Sequence, residues 1–301
     1  MTIDNKNKII GHIACFVAYA IWGINIVVCK DLTSSNLISP IALFTIRSVG
    51  AGMLFGIISI FMPREHIKLG DHLRIFAASV IGFFLTQVSF LLAIPHITPM
   101  DCSIVSALSP ICTMFVAAIA LREPITLKKI GGVILSFIGI VFLILNSTSS
   151  DSGRHTTTLG VLLMLFNCLC FSSYLGIFKP VIARYSVITF LKWIYLYTTL
   201  LSLPFSLQEV VSIDYAALPT NIVLELLYLI IFSTFVAYFL IPVGQKRIRP
   251  TLVSMYSYVQ PIIATAISIA VGMDTLGWQK IVAAITVFAG VIIVTKSKAK
   301  T

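Results

Sequence analysis

PMDCSIVSALSPI (residues 99–111) and PTLVSMYSYVQPI (residues 250–262) decide how this chain is built, because the second repeats the first at a constant spacing of 151 residues. Pro99 pairs with Pro250, Ser103 with Ser254, Ser106 with Ser257, Pro110 with Pro261 and Ile111 with Ile262. The same spacing carries on through Glu123 and Asp274, Lys129 and Lys280, Ile130 and Ile281, Ile134 and Ile285, and Gly139 and Gly290. Gly11 and Lys30 are matched by Gly160 and Lys179 at a spacing of 149. Glycines, prolines and end charges that agree in order point to two copies of one unit, residues 1–150 and 151–301.

Of the 301 residues, 58% are hydrophobic and 11% charged, where a soluble domain carries about 25% charged residues. A soluble chain of this length has no means of hiding so much apolar surface, so its solvent is lipid. The net charge of +10 would ordinarily suggest nucleic acid as a partner. Here the bases gather at the ends of apolar runs, which is the pattern of membrane orientation instead. The six cysteines all lie in or beside apolar runs and read as small buried residues rather than disulfides or metal ligands. The first run, about 9–29, is too long for a cleaved signal sequence and suits a retained span.

Ten spans emerge from the runs and their punctuation: 9–29, 40–62, 73–94, 101–121, 128–146, 158–179, 187–207, 221–243, 251–271 and 277–296. Each approaches the ~20 residues that cross the hydrocarbon. Lys6, Lys8, Arg64, Lys68, Arg74, Arg122, Lys128, Lys129, Lys179, Arg184, Lys246, Arg247, Arg249, Lys296, Lys298 and Lys300 then fall on one side, against Lys30, Arg154 and Lys280 on the other. That bias predicts a multi-pass protein of the cytoplasmic membrane with both termini in the cytoplasm. Five spans per unit is an odd number, so the second unit is expected to cross in the opposite sense, as an inverted repeat.

Residues 93–126, with Ser103, Ser106, Pro110 and the ending ALREPIT (residues 120–126), together with Trp22-Gly23-x-Asn25, Lys30 and Arg47, resemble the EamA-type branch of the drug/metabolite transporter superfamily. The resemblance covers nearly the whole chain as two five-helix units. Asp274 stands where the second unit should have glutamate, and Gln260 precedes Pro261 where Ser109 precedes Pro110. The second unit therefore carries the weaker match. The resemblance implies a carrier of small metabolites, often amino acids, with a central cavity between the repeats.

The residues themselves suggest what such a cavity would use. Pro110 and Pro261 each remove a backbone hydrogen bond, kinking their helices as either a static bend or a hinge; their symmetric placement favours the hinge. Ser106 shares one helical face with Ser103, Pro110 and Thr113, a face that either packs closely or bonds a solute. An amide in mid-bilayer needs a partner, so Asn25, beside Trp22, bridges helices or contacts solute. Asn167, Phe171 and Tyr174 are the counterparts of that face, and Gln87, Thr234, Tyr238, Tyr256 and Gln260 are further mid-span polar groups. Arg47, the deepest permanent charge, reads as one half of an internal ion pair or as a substrate contact, and Glu123 as a salt bridge or gate at an inner helix end. Gly52 and Gly56, four apart, read as packing residues.

The absences also decide. All eleven carboxylates lie in loops or near span ends and no histidine lies mid-span, so a built-in proton relay is not expected. No metal pair, nucleophile elbow or Walker loop is present, and no cofactor is implied; an enzyme is excluded, and a channel ranks below a carrier. The expectation is an all-α integral membrane protein, ten transmembrane helices in two inverted five-helix repeats around a central cavity, carrying amino-acid-like metabolites by alternating access. A translocator of lipids or lipid-linked sugars is the alternative. Trp22, Asn25, Gln87, Ser106, Tyr174, Tyr238, Tyr256 and Gln260 are the expected substrate contacts; Pro110, Pro261, Arg47 and Glu123 are the expected hinge and structural residues. The oligomeric state is not legible.

Overall fold

A computed structural model describes residues 3–121, 126–147 and 156–296, and among these there is no β-strand. Eight helices of the described residues are long and apolar enough to cross a membrane: α1 (Asn7–Ser34), α2 (Pro40–Ile60), α3 (Leu69–His96), α4 (Pro99–Val116), α6 (Thr158–Ile177), α7 (Val187–Val211), α8 (Thr220–Gln245) and α9 (Pro250–Ala270). Two shorter apolar helices, α5 (Ile130–Asn146) and α10 (Trp278–Val294), close the two halves. The chain is thus a multi-pass membrane protein whose outer surface carries large apolar side chains such as Ile60, Leu145 and Phe205. Glu123 and its neighbours Arg122 and Pro124 lie outside the described residues.

Local chemistry starts the helices where the sequence suggests. Ser39, Thr98, Thr157 and Ser186 are N-caps in extended backbone, their hydroxyls accepting from Ala42, Asp101, Gly160 and Thr189 N–H groups at 3.1–3.3 Å. Pro40 and Pro99 occupy the first helical position, where a missing N–H costs nothing. The interiors depart from regularity in matched places. α3 contains a π-helical stretch at Val80–Leu85 and α8 another at Leu229–Val236. Thr86 and Thr234 bond the carbonyls five residues back, Ile81 and Leu229, at 2.9 and 2.6 Å. α4 is broken at Ala107–Leu108, and α9 narrows to a 3-10 turn at Tyr256–Tyr258. These breaks sit one turn before Pro110 and Pro261, where a proline ring clashes with the preceding carbonyls. The carbonyl that Pro110 leaves unbonded, that of Ser106, accepts from the Ser109 hydroxyl at 2.7 Å.

Matched helices also pack on each other. A Cβ on Gly139 would meet Val287 and the Ala283 carbonyl at 2.9 and 3.1 Å; one on Gly290 would meet Gly132 and Ser136. Ser136 donates to the Val287 carbonyl at 3.2 Å. Low-numbered residues of α5 meet high-numbered residues of α10, so the two run antiparallel, with small residues letting the backbones touch. α2 and α7 pair in the same way: Thr45 bonds Ser206 at 2.6 Å, and Gly52 faces Tyr195 and Thr199. Gly56, expected to pack as Gly52 does, has open space around it.

α1 and α6 are tied at both ends. At one end, Gly160 at the start of α6 lies against His96, while Lys30 near the end of α1 donates to the Ile94 carbonyl at 2.8 Å. At the other end, Gly11 at the start of α1 packs on Arg247, while Lys179, just past α6, donates to the Ile248 carbonyl at 3.1 Å. Partial burial, with the charge of Arg249 adding to it, lowers the pKa of Lys179. The start of α1 therefore shares a face of the molecule with the end of α6.

Candidate functional site

Where α1, α2, α3, α4, α6, α8 and α9 converge, they enclose a central cavity with about 70 Å³ open to the centre of a water molecule. Its wall includes Trp22, Asn25, Arg47, Gln87, Ser106, Tyr238 and Gln260. Six of the eight expected contacts are thus brought together, and Arg47 joins them.

Arg47 is 2% exposed, yet among the described residues no carboxylate lies within salt-bridge distance of it. The ion pair expected of it is replaced by neutral acceptors. Its Nε donates to Thr234 Oγ1 at 2.9 Å, Nη2 to Ser233 Oγ at 3.0 Å and Nη1 to Cys29 Sγ at 3.6 Å. The π-helical stretch of α8 places Ser233 and Thr234 side by side for this. Because a guanidinium has no acceptor, the Ser233 hydroxyl must accept from it and donate elsewhere. It donates to Asn25 Oδ1 at 2.6 Å, and Cys29 Sγ donates to the same oxygen at 3.5 Å. This fixes the amide: the Asn25 carbonyl is consumed, and its N–H₂ group finds no partner among the described residues at the cavity wall.

Trp22 closes one side. Its indole N–H donates to the Ser233 carbonyl at 3.1 Å, leaving the ring as an apolar wall. Tyr19, Phe171 and Tyr238 stand edge-on to it, with centroids 5.0–5.4 Å away. The Tyr19 hydroxyl is buried without a hydrogen-bond partner among the described residues. Gln87 donates to the Tyr238 hydroxyl across the cavity wall. Ser106 lines the cavity while donating to the Cys102 carbonyl at 2.9 Å.

Two expected contacts lie elsewhere. Tyr174 is fully buried beside the cavity, where it packs on Phe83 and on Gly82; a Cβ there would stand 2.5–2.7 Å from the tyrosine. Tyr256 bonds His12 Nδ1 at 2.7 Å near the start of α1, because the 3-10 turn of α9 directs it away. The wall also holds Tyr19, a mid-span polar aromatic that the signal used for Tyr238 could have found, and Ile26, Thr86, Phe90, Ser109 and Met164, which no residue-type argument singles out in a membrane helix. Asn167 completes it, bonding the Thr86 carbonyl at 2.6 Å. Ser103 and Thr113 prove to be packing residues, bonded to Met100 and Ser109 carbonyls.

A second polar cluster lies at the end of the bundle that holds Lys30. Asp101 is fully buried and Asp274 nearly so; Lys280 bridges them, 3.6 Å from Asp101 and hydrogen-bonded to Asp274. Asp274 also accepts from the Met100 N–H at 2.9 Å, and Asp101 from Thr156.

A polar cavity buried in a bundle with an apolar exterior defines the class: a multi-pass membrane protein organised around an internal polar space. The chain belongs to the EamA-like transporter family, whose profile matches it twice, over residues 9–145 and 158–296. It is similar to an uncharacterized transporter of Archaeoglobus fulgidus, 28% identical over 72% of this chain and 74% of that one. It is likewise similar to the uncharacterized transporter YetK of Bacillus subtilis, 26% identical over 87% and 80%. A Chlamydia trachomatis S-adenosylmethionine/S-adenosylhomocysteine transporter is 29% identical over 53% of this chain and 49% of its own length. A solved crystal structure matches with a TM-score of 0.65 at 16% identity, over 97% of this chain and 98% of that one, a likeness of fold.

Proposed function

We propose that this chain is a carrier of small amphiphilic metabolites of the amino-acid class, which it passes through the central cavity by rocking of two inverted five-helix halves, residues 1–150 and 151–301. The observation that carries the reading is the cavity itself, which both halves line and which sets hydrogen-bonding groups of Asn25, Arg47 and Gln87 against the Trp22 wall. The antiparallel pairing of α5 with α10 and of α2 with α7 supports inverted halves. So does the meeting of the start of α1 with the end of α6. The helix breaks before Pro110 and Pro261 suit hinges on either side of the cavity. The basic bias of the sequence supports cytoplasmic termini in the cytoplasmic membrane.

The cavity is small beside the ~300–1,000 Å³ of ordinary ligand sites, so loading a metabolite requires the halves to part. The S-adenosylmethionine and S-adenosylhomocysteine named for the Chlamydia relative both have an amino-acid end, which fits the proposed class. No proton relay is proposed, since no carboxylate or histidine lines the described cavity.

Counterflow tests the reading: proteoliposomes preloaded with an amino-acid mixture, radiolabelled uptake, and no ion gradient. Saturable uptake competed by one class of amino acid is expected, and Asn25→Ala should reduce it without reducing folded yield. No uptake by folded protein, with lipid scrambling in the same vesicles, would replace the metabolite carrier with a lipid translocator.

A further inference from the structure

The cavity has hydrogen-bond donors left over and, among its described lining, no charged acceptor to receive them. Of the five N–H groups of a guanidinium, Arg47 uses three on Thr234, Ser233 and Cys29. The donor-only character of arginine forces Ser233 and Cys29 to turn their hydrogens onto Asn25, so the amide beside it presents N–H₂ rather than carbonyl. The described lining contains no carboxylate, lysine or histidine. A buried cation without a counter-ion is costly, and the cost falls when a ligand supplies the anion. A carboxylate matches two parallel N–H donors of arginine in shape as well as charge.

The apolar half of the site is attached to the same point. Trp22 donates to the carbonyl of Ser233, whose hydroxyl accepts from Arg47, so the aromatic wall and the spare guanidinium N–H groups meet at one residue. With about 70 Å³ available, against roughly 10–15 Å³ per water position, the cavity holds an ionic head group and must widen for the rest of a solute.

We propose that Arg47, with the Asn25 amide beside it, is the docking point for a carboxylate of the transported solute. The site therefore selects compounds with a free carboxylate and an apolar or aromatic body over those whose carboxylate is blocked. This rests on the carrier reading and narrows its substrate class to solutes that carry a carboxylate.

The test uses four probes sharing one aromatic body, 3-phenylpropionate, phenylalanine, 3-phenylpropanamide and phenylalaninamide, titrated into purified full-length protein by calorimetry. The two carboxylates should bind about tenfold or more tightly than the neutral amide and the cation, as befits a charged hydrogen bond. Arg47→Gln should bring the carboxylates down to the level of the amide. Equal binding of the amide or the cation, no binding by any probe, or a carboxylate preference that survives in folded Arg47→Gln protein, would each overturn the proposal. If that variant does not fold, the ranking on wild-type protein decides alone. Counterflow of the amino-acid mixture keeps the two readings apart. Uptake competed equally by phenylalanine and phenylalaninamide removes the docking role and leaves the carrier; absence of all uptake removes the carrier.

Discussion

Gln87 and Tyr238 are hydrogen-bonded to each other and stand 151 residues apart, the spacing at which the two halves repeat. Ser136 and Val287, bonded at 3.2 Å, stand at the same spacing. Residues at the repeat spacing thus touch each other at the cavity wall and again where α5 meets α10.

The first of these contacts predicts a coupled pair. Tyr238→Phe keeps the ring and removes the hydroxyl, and Gln87→Leu removes the other partner. Each should lower stability by about 1 kcal/mol, the net worth of a hydrogen bond. The double variant should cost little more than either alone, since both remove one interaction. Thermal unfolding in detergent reads this, and fully additive shifts would show that the two side chains act separately.

Gly82 and Tyr174 predict an exchange. By the repeat spacings, Gly82 corresponds to Ser233 and Tyr174 to Asn25, and Ser233 bonds Asn25 in the other half. The tyrosine is tolerated only because the residue facing it is glycine. Gly82→Ser alone should destabilise by roughly 1–3 kcal/mol through overpacking. Adding Tyr174→Asn should restore part of that loss by copying the small pair. Melting temperatures of the two variants check it, and a double variant less stable than Gly82→Ser would refute the equivalence.

Lys280 predicts a large single-residue effect. It neutralises two buried carboxylates, Asp101 and Asp274, that tie the start of α4 to the loop before α10. Lys280→Met should cost about 3–5 kcal/mol, the penalty for breaking a buried ion pair from one side. Lys280→Arg should cost less, and Asp274→Asn combined with Lys280→Met should recover part of the loss. Denaturation of the three variants decides, and a Lys280→Met protein as stable as wild type would show that the charges are solvated.

α5 and α10 predict a packing limit. Gly290→Leu would drive a side chain into Gly132 and Ser136, where the backbones leave no room. Folded yield should fall sharply, whereas Gly56→Leu, in open space, should leave it unchanged. Size-exclusion profiles of the two variants make the comparison, and equal yields would contradict the antiparallel pairing.

The helices and the duplication were legible in the sequence because they rest on local signals: apolar runs, the breaks between them, and residues repeating at spacings of 151 and 149. That six of the named residues line one cavity was partly legible too, since an amide or a large polar aromatic in mid-membrane is rare enough to stand out. Tyr174 and Tyr256 carry that same signal and were misplaced by it. What separates them from Tyr238 is Gly82 on a neighbouring helix and a 3-10 turn in α9, neither of which residue type reports. Arg47 was recognisable as buried, but its acceptors depend on the π-helical stretch of α8. One surplus residue there rotates the remainder of the helix by about 100° from a regular one, so a uniform helical projection places Ser233 and Thr234 wrongly. Thr86, Ser109 and Met164 have no distinguishing chemistry before the helices are assembled.

Counted from the capping serines Ser39 and Ser186, Arg47 falls at the same position as Ile194, which is wholly buried among apolar neighbours. Two identical copies would bring two guanidiniums to the centre, or none, and would set Gln87 against glutamine or Tyr238 against tyrosine. Divergence of the two copies is what leaves a single charge and an unlike pair at the cavity wall. Under the carrier reading proposed above, that inequality would let the site tell one end of an asymmetric solute from the other.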